Sequence, residues 1–71
     1  KKINKTKIKI NGKKYKINPK MTLKEAIAKF KIPIDKVAIE LNENIVDKKK
    51  LDKIKVQNND KIEIVHFIGG G

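Results

Sequence analysis

Seventy-one residues with a formal net charge of +11 suit one small domain whose interior holds few large side chains. Cysteine is absent and His66 is the single histidine, which excludes disulfides, thiolate catalysis and zinc–cysteine sites. Only Tyr15, Phe30 and Phe67 are aromatic, so isoleucine, leucine and valine must fill most of the core.

The charge is unevenly spread. Ten lysines and no acid lie between Lys1 and Lys24, whereas residues 25–71 set nine lysines against eight acids. Such a field favours anionic partners: nucleic acid, an anionic membrane or an acidic protein. All nineteen Lys and Arg positions are lysine, and the lack of arginine, the usual bidentate reader of guanine and phosphate, argues against sequence-specific nucleic-acid recognition. A chain rich in Lys, Ile and Asn is also what AT-rich coding produces, so the excess has a compositional reading beside the functional one. No apolar run reaches the length of a signal segment or a membrane span. The expectation is a soluble cytoplasmic protein.

Thr6–Ile10 and Lys13–Ile17 alternate around Asn11-Gly12, the strongest short-range hairpin signal, because a type I′ turn needs positive φ at both central residues. A two-residue turn pairs Ile10 with Lys13, Ile8 with Tyr15 and Thr6 with Ile17, and puts the apolar residues on one face. Lys7 then faces Lys16, and Lys9 faces Lys14, on the other. After Pro19, Thr22-Leu23-Lys24-Glu25 has the form of a capping box. Leu23, Ala26, Ile27 and Phe30 follow at helical spacing, which predicts a helix of about ten residues that Pro33 stops. Val37, Ile39 and Leu41 alternate as a strand, Asn42–Asn44 make a turn, and Ile45-Val46 form a short strand. Leu51 and Ile54 anchor a lysine-rich loop or short helical turn. Gln57–Asp60 is a turn, Lys61–Ile68 is the last strand, and Gly69–Gly71 end the sequence.

A hairpin, one helix and three further strands form one domain over residues 1–71. They fit the α+β solution of a mixed sheet packed on one helix. This is the β-grasp, or ubiquitin-like, architecture, with a flexible glycine tail and with the last strand central and parallel to the first. Phe30 and Ile27 are expected between helix and sheet, above Ile8, Ile10, Ile62 and Ile64. His66, in phase with Ile62 and Ile64, is expected to pack or to cap the strand end, with no catalytic role. Val65 and Phe67 are out of that phase, beside Glu63 on the far face, and two apolar residues there suggest a partner site. The lysine pairs of the hairpin are expected to share that face and to lie beside Val65 and Phe67.

The Val37-Ala38-Ile39-Glu40-Leu41-Asn42 strand, Ile45-Val46 after it, Asp60 before the last strand, and Val65-His66-Phe67-Ile68-Gly69-Gly70-Gly71 at the end together resemble the ThiS-type sulfur carriers of bacterial thiamine biosynthesis. The resemblance covers nearly the whole chain. It departs from the family at Glu43, where the turn often has Gly after Asn, and at Asp47-Lys48, where Pro-Arg often follows the short strand. It implies that the carboxylate of Gly71 is the working group and that the chain is a carrier and not an enzyme. An ATP-using adenylating enzyme of the ThiF type would activate that carboxylate. A sulfur donor such as a cysteine desulfurase would convert it to a thiocarboxylate, and a thiazole synthase of the ThiG type would take the sulfur. The chain itself would bind no cofactor or metal. Gly69, Gly70 and Gly71 carry no side chains, so an extended tail can thread a narrow channel. Ile68, Val65 and Phe67, with Lys7, Lys9, Lys14 and Lys16, are the candidate partner-binding residues.

Three other functions compete. The small subunit of molybdopterin synthase has the same fold, tail and activation chemistry. A protein-modifying tag would join Gly71 to a lysine. A basic nucleic-acid binder would bind with steep salt dependence, but it leaves the glycine tail unexplained, and the sequence has little aromatic stacking surface.

Overall fold

The computed structural model describes residues 4–67. β1 (Thr6–Ile10) and β2 (Lys13–Ile17) pair antiparallel in the register that the turn dictates, Thr6 with Ile17, Ile8 with Tyr15 and Ile10 with Lys13. Asn11 and Gly12 are both left-handed, at φ 50° and 84°, as a type I′ turn requires.

The capping box forms. Thr22 Oγ1 accepts from the Glu25 amide at 3.1 Å, and Glu25 Oε1 accepts from the Thr22 amide at 2.9 Å. Helix α1 (Leu23–Lys29) is seven residues long, shorter than its spacing suggests, and it ends before Pro33. Lys31 turns left-handed at φ 59°; its amide donates to the Ala28 carbonyl and that of Ile32 to the Ile27 carbonyl. This is a Schellman stop with lysine where glycine is usual. Pro33 keeps Ile32 out of the helical region, so the chain reverses ahead of the proline. The helix start is moored to the loop before the last strand: the Leu23 amide donates to Ile54 and the Val56 amide to Met21.

After a 3-10 turn at Ile34–Lys36 comes β3 (Val37–Leu41). β4 (Asn44–Ile45) begins one residue earlier than expected. Asn42 and Glu43, at φ 51° and 73°, make a two-residue left-handed turn that sets Asn44 opposite Leu41 and Ile45 opposite Glu40. A 3-10 segment at Lys48–Lys53 carries Leu51 into the core. β5 (Asp60–His66) lies between β1 and β3, parallel to the first and antiparallel to the second, in a sheet of order β2-β1-β5-β3-β4. This is the β-grasp arrangement.

Ile8, Ile10 and Ile17 of the hairpin meet Leu23, Ala26 and Ile27 of α1, and Val37, Ile39, Ile62 and Ile64 complete the sheet side of the core. Phe30 departs from expectation. It caps the helix at the rim, half-buried, with its ring 4.6 Å from that of Tyr15 and tilted by 58°. Because the helix stops at Lys29, Phe30 closes the side of the core and does not lie beneath the helix. Among the described residues no helix is long and apolar enough to cross a membrane.

Candidate docking face

β5 connects the core to the glycine run. Its alternation sends Ile62 and Ile64 toward α1, where they are buried, and Lys61, Glu63 and Val65 to the opposite face. Phe67 continues this phase, and its amide donates to the Lys36 carbonyl at 3.1 Å. Val65 and Phe67 are 52% and 53% exposed, as their phase predicts. The Lys48 ammonium stands 5.1 Å from the Phe67 ring centre, a cation–π contact. His66 is exposed and does not pack.

The cross-strand register adds residues that sequence reasoning missed. Val65 faces Ala38, Glu63 faces Glu40, and Glu40 in turn faces Ile45. Ile45 is therefore on the same face, and at 78% exposure it is the most open large apolar side chain among the described residues. The signal lay in the turn: reading Asn42-Glu43 as a two-residue turn, and not Asn42–Asn44 as three, sets Ile45 opposite Glu40. Glu40 joins the expected Glu63 as a second acid on this face.

Lys7, Lys9, Lys14 and Lys16 are exposed and opposed as expected. Their position along the sheet differs from expectation. Lys9 pairs with Lys61, and β1 leaves β5 after Ile10 meets Ile62. The lysines thus neighbour the start of β5. From Lys61 to Val65 is four residues of strand, about 13 Å, and to Phe67 about 20 Å, with the Glu63–Glu40 pair in between. The sheet face reads lysine, carboxylate, apolar in the direction of the chain end. Ile68, Gly69, Gly70 and Gly71, the rest of the expected site, lie outside the described residues.

The start of β5 is held by a polar lock. Asp60 is 8% exposed; its Oδ2 accepts from the Gln57 amide at 2.7 Å and its Oδ1 from Asn42 Nδ2 at 2.9 Å. Asn42 Oδ1 accepts in turn from the Lys61 amide at 2.9 Å. Burial of a carboxylate requires such partners, and they tie the β3–β4 turn to β5. Beside the lock, Lys61 Nζ lies 3.1 Å from Glu43 Oε2. No group of three or more His, Cys, Asp or Glu that could hold a metal ion occurs among the described residues.

A family model described as "ThiS family" matches residues 3–71. The chain belongs to the ThiS family. It is 32% identical over 65 residues to the "Sulfur carrier protein ThiS" of Bacillus subtilis (strain 168), covering 90% of this chain and 98% of that one. The crystal structure of a thiamine biosynthesis protein (ThiS) from Geobacter metallireducens superposes with a TM-score of 0.82 at 25% identity, over 93% of this chain and 100% of that one. A "Thiazole synthase" of Paramagnetospirillum magneticum is 38% identical over 65 residues, 92% of this chain. The chain spans only 20% of that relative's length, and the same share of a second "Thiazole synthase", from Magnetococcus marinus. Against the ThiS pattern, Glu43 takes at φ 73° the left-handed position that the family's glycine would occupy without strain.

Proposed function

We propose that this chain is the sulfur carrier of thiamine biosynthesis and that the carboxylate of Gly71 carries the sulfur. The observation that supports this most is the ThiS family match running through residue 71, with the Gly69–Gly71 run following within a few residues of the central strand β5. A carboxylate is a poor electrophile until one of its oxygens becomes part of a good leaving group. A ThiF-type enzyme would supply AMP as that group by adenylating Gly71 with ATP. The persulfide of a sulfur donor such as a cysteine desulfurase would then displace AMP to give an acyl disulfide, and a thiol reductant would cleave its S–S bond to leave the thiocarboxylate. The Gly71 carboxylate would attack the α-phosphate of ATP and release pyrophosphate, and the chain supplies no thiol of its own to the later steps, since it has no cysteine. Its part is to present the terminus and to be recognised, in the cytoplasm, where ATP is available.

A thiazole synthase is the proposed acceptor of the sulfur. Support comes from the two relatives named thiazole synthase, in each of which a fifth of the chain resembles this domain. Val65 and Phe67, with Ala38 opposite Val65 and with Ile45 on β4 level with the Glu40–Glu63 pair, form the surface that would seat against a partner while the tail enters its active site. Exposed apolar groups next to a reactive end are poorly suited to water and well suited to an interface core.

The test is intact mass after incubation with ATP, a ThiF-type enzyme, a cysteine desulfurase, cysteine and a thiol reductant. The expected result is the gain of one sulfur for one oxygen at Gly71. A branched Gly–lysine conjugate would instead mark a protein modifier. Conversion of a chain extended beyond Gly71, without trimming, would overturn the reading. In the same assay Val65→Asp and Phe67→Asp should each raise KM by roughly tenfold, a hot-spot loss of about 1.4 kcal/mol, with thermal stability unchanged. Unchanged KM in both would remove these side chains from the interface.

A further inference from the structure

We propose that the lysine end of the open sheet face is a second docking zone, separate from the apolar patch, that takes an acidic protein surface on the enzyme that processes Gly71. The inference rests on the functional reading above. Lys14, Lys9 and Lys61 form a row across three neighbouring strands, and Lys16 and Lys7 form the next row. Adjacent strands lie about 4.8 Å apart, so five ammonium groups share a small area. Lys61 is paired with Glu43, but among the described residues Lys7, Lys9, Lys14 and Lys16 have no ion-pair partner. Like charges directly opposite one another weaken a sheet. An anionic surface docked on these rows would relieve that repulsion.

The face favours protein over nucleic acid. The nearest aromatic ring, Tyr15, is turned to the helix side against Phe30, so no base can stack on it here, and single-strand binders depend on such stacking. Arginine is absent. The lysine rows and the Val65–Phe67 patch both lie along β5, about 13–20 Å apart by strand rise. An ordinary interface of about 800 Å² per partner spans both. Glu63 and Glu40 lie between the two zones, so the complementary partner presents acid, base and apolar groups in that order. A pattern of this kind orients the chain so that the tail end is directed at the catalytic centre. Charge at the distant end serves encounter and orientation, and the apolar end holds the complex.

The test uses Lys7→Glu combined with Lys14→Glu. Each new carboxylate then faces a lysine, Lys16 or Lys9, across the hairpin, so the fold is supported by opposite-charge pairs. Lys24→Glu with Lys29→Glu on α1 is the control, with the same change in net charge on the other side of the molecule. Adenylation of Gly71 is measured by pyrophosphate exchange at about 0.03 M and about 0.3 M salt, where the screening length falls from roughly 17 to 6 Å. The hairpin variant should lose about tenfold in kcat/KM at low salt, within the range of electrostatic steering, with kcat unchanged and the gap closing at high salt. The α1 variant should stay within about twofold of wild type, since charge remote from the docking face steers weakly. Equal losses in both variants, no loss in the hairpin variant, or a loss in kcat would overturn the proposal. Binding of a mixed-sequence DNA duplex abolished by the hairpin substitutions, with adenylation unaffected, would assign the rows to nucleic acid instead. If the wild type is not adenylated, the Gly71 reading falls, and the docking proposal with it.

Discussion

Glu43→Gly should stabilise the domain. Glu43 is held at φ 73°, where a non-glycine L-residue is disfavoured by about 1–2 kcal/mol. Glycine removes that strain but loses about 0.5–1 kcal/mol more backbone entropy on folding. The substitution also deletes the Lys61–Glu43 ion pair, whose side chains are 44% and 78% exposed; a pair so open to solvent contributes a few tenths of a kcal/mol. The balance is a gain of about 0.5 kcal/mol, or roughly 2–4 °C in Tm for a domain of this size. Glu43→Ala separates the two effects, because it deletes the ion pair and keeps the strain. The glycine variant should therefore exceed the alanine variant by about 0.8 kcal/mol, read from paired urea and thermal unfolding curves. A glycine variant no more stable than the alanine variant would refute the claim that this turn is strained.

Two further sets of substitutions test the packing. Asn11 Oδ1 accepts from the Ile64 amide at 2.7 Å, so Asn11→Gly, which keeps the turn, should cost about 1–3 kcal/mol for the orphaned amide. Asn11→Ala should cost more, because it adds left-handed strain; a neutral Asn11→Gly in denaturant titration would show the contact to be dispensable. Phe30→Ala should cost about 2 kcal/mol, below the 3–5 of a fully buried ring, and a double-mutant cycle with Tyr15→Ala should return about 0.5–1.5 kcal/mol of ring–ring coupling. A cycle with no coupling would mean that the tilted pair is only adjacent.

Local rules carried most of the fold. The type I′ turn at Asn11-Gly12 determines the whole hairpin register, and the capping box determines where α1 starts. Both depend on residues close together in the sequence, and such signals survive tertiary context. The end of α1 was harder to read because a lysine adopts the left-handed stop that glycine usually marks. Phe30 fits the helical stripe by spacing, yet a helix about three residues shorter, ending at Lys29, moves it to the rim. The docking face was partly legible. Alternation alone places Val65 and Phe67 outside the core, but what stands beside them depends on the offset between β5 and its neighbours. That offset is set by Asn11, whose amide bonds Ile62 and whose side chain bonds Ile64, and by the Asp60–Asn42 lock. Neither tertiary contact has a periodic signature. The lysines were therefore assigned to the right face and the wrong end of it.

The same two polar devices account for how one strand can be both core and handle. At its start β5 is flanked on one side by β1, from Asp60 to Ile62, and on the other by Asn42 at Lys61 and then by β3 from Ile62 onward, and Asp60 anchors it to the β3–β4 turn. Asn11 stands in for the next residue of β1 by bonding Ile64 with its side chain, and there the β1 side of the sheet ends. Beyond Ile64 the described part of β5 is supported by β3 alone, through Ala38 opposite Val65, Val37 opposite His66 and the Lys36 carbonyl at Phe67. Support thus falls from two strands to one just where the side chains become exposed and apolar. A residue held on one side only, with apolar surface in water, gains most from a partner that covers it. The transition at Ile64 therefore separates the part of the strand that stabilises the domain from the part proposed to deliver Gly71.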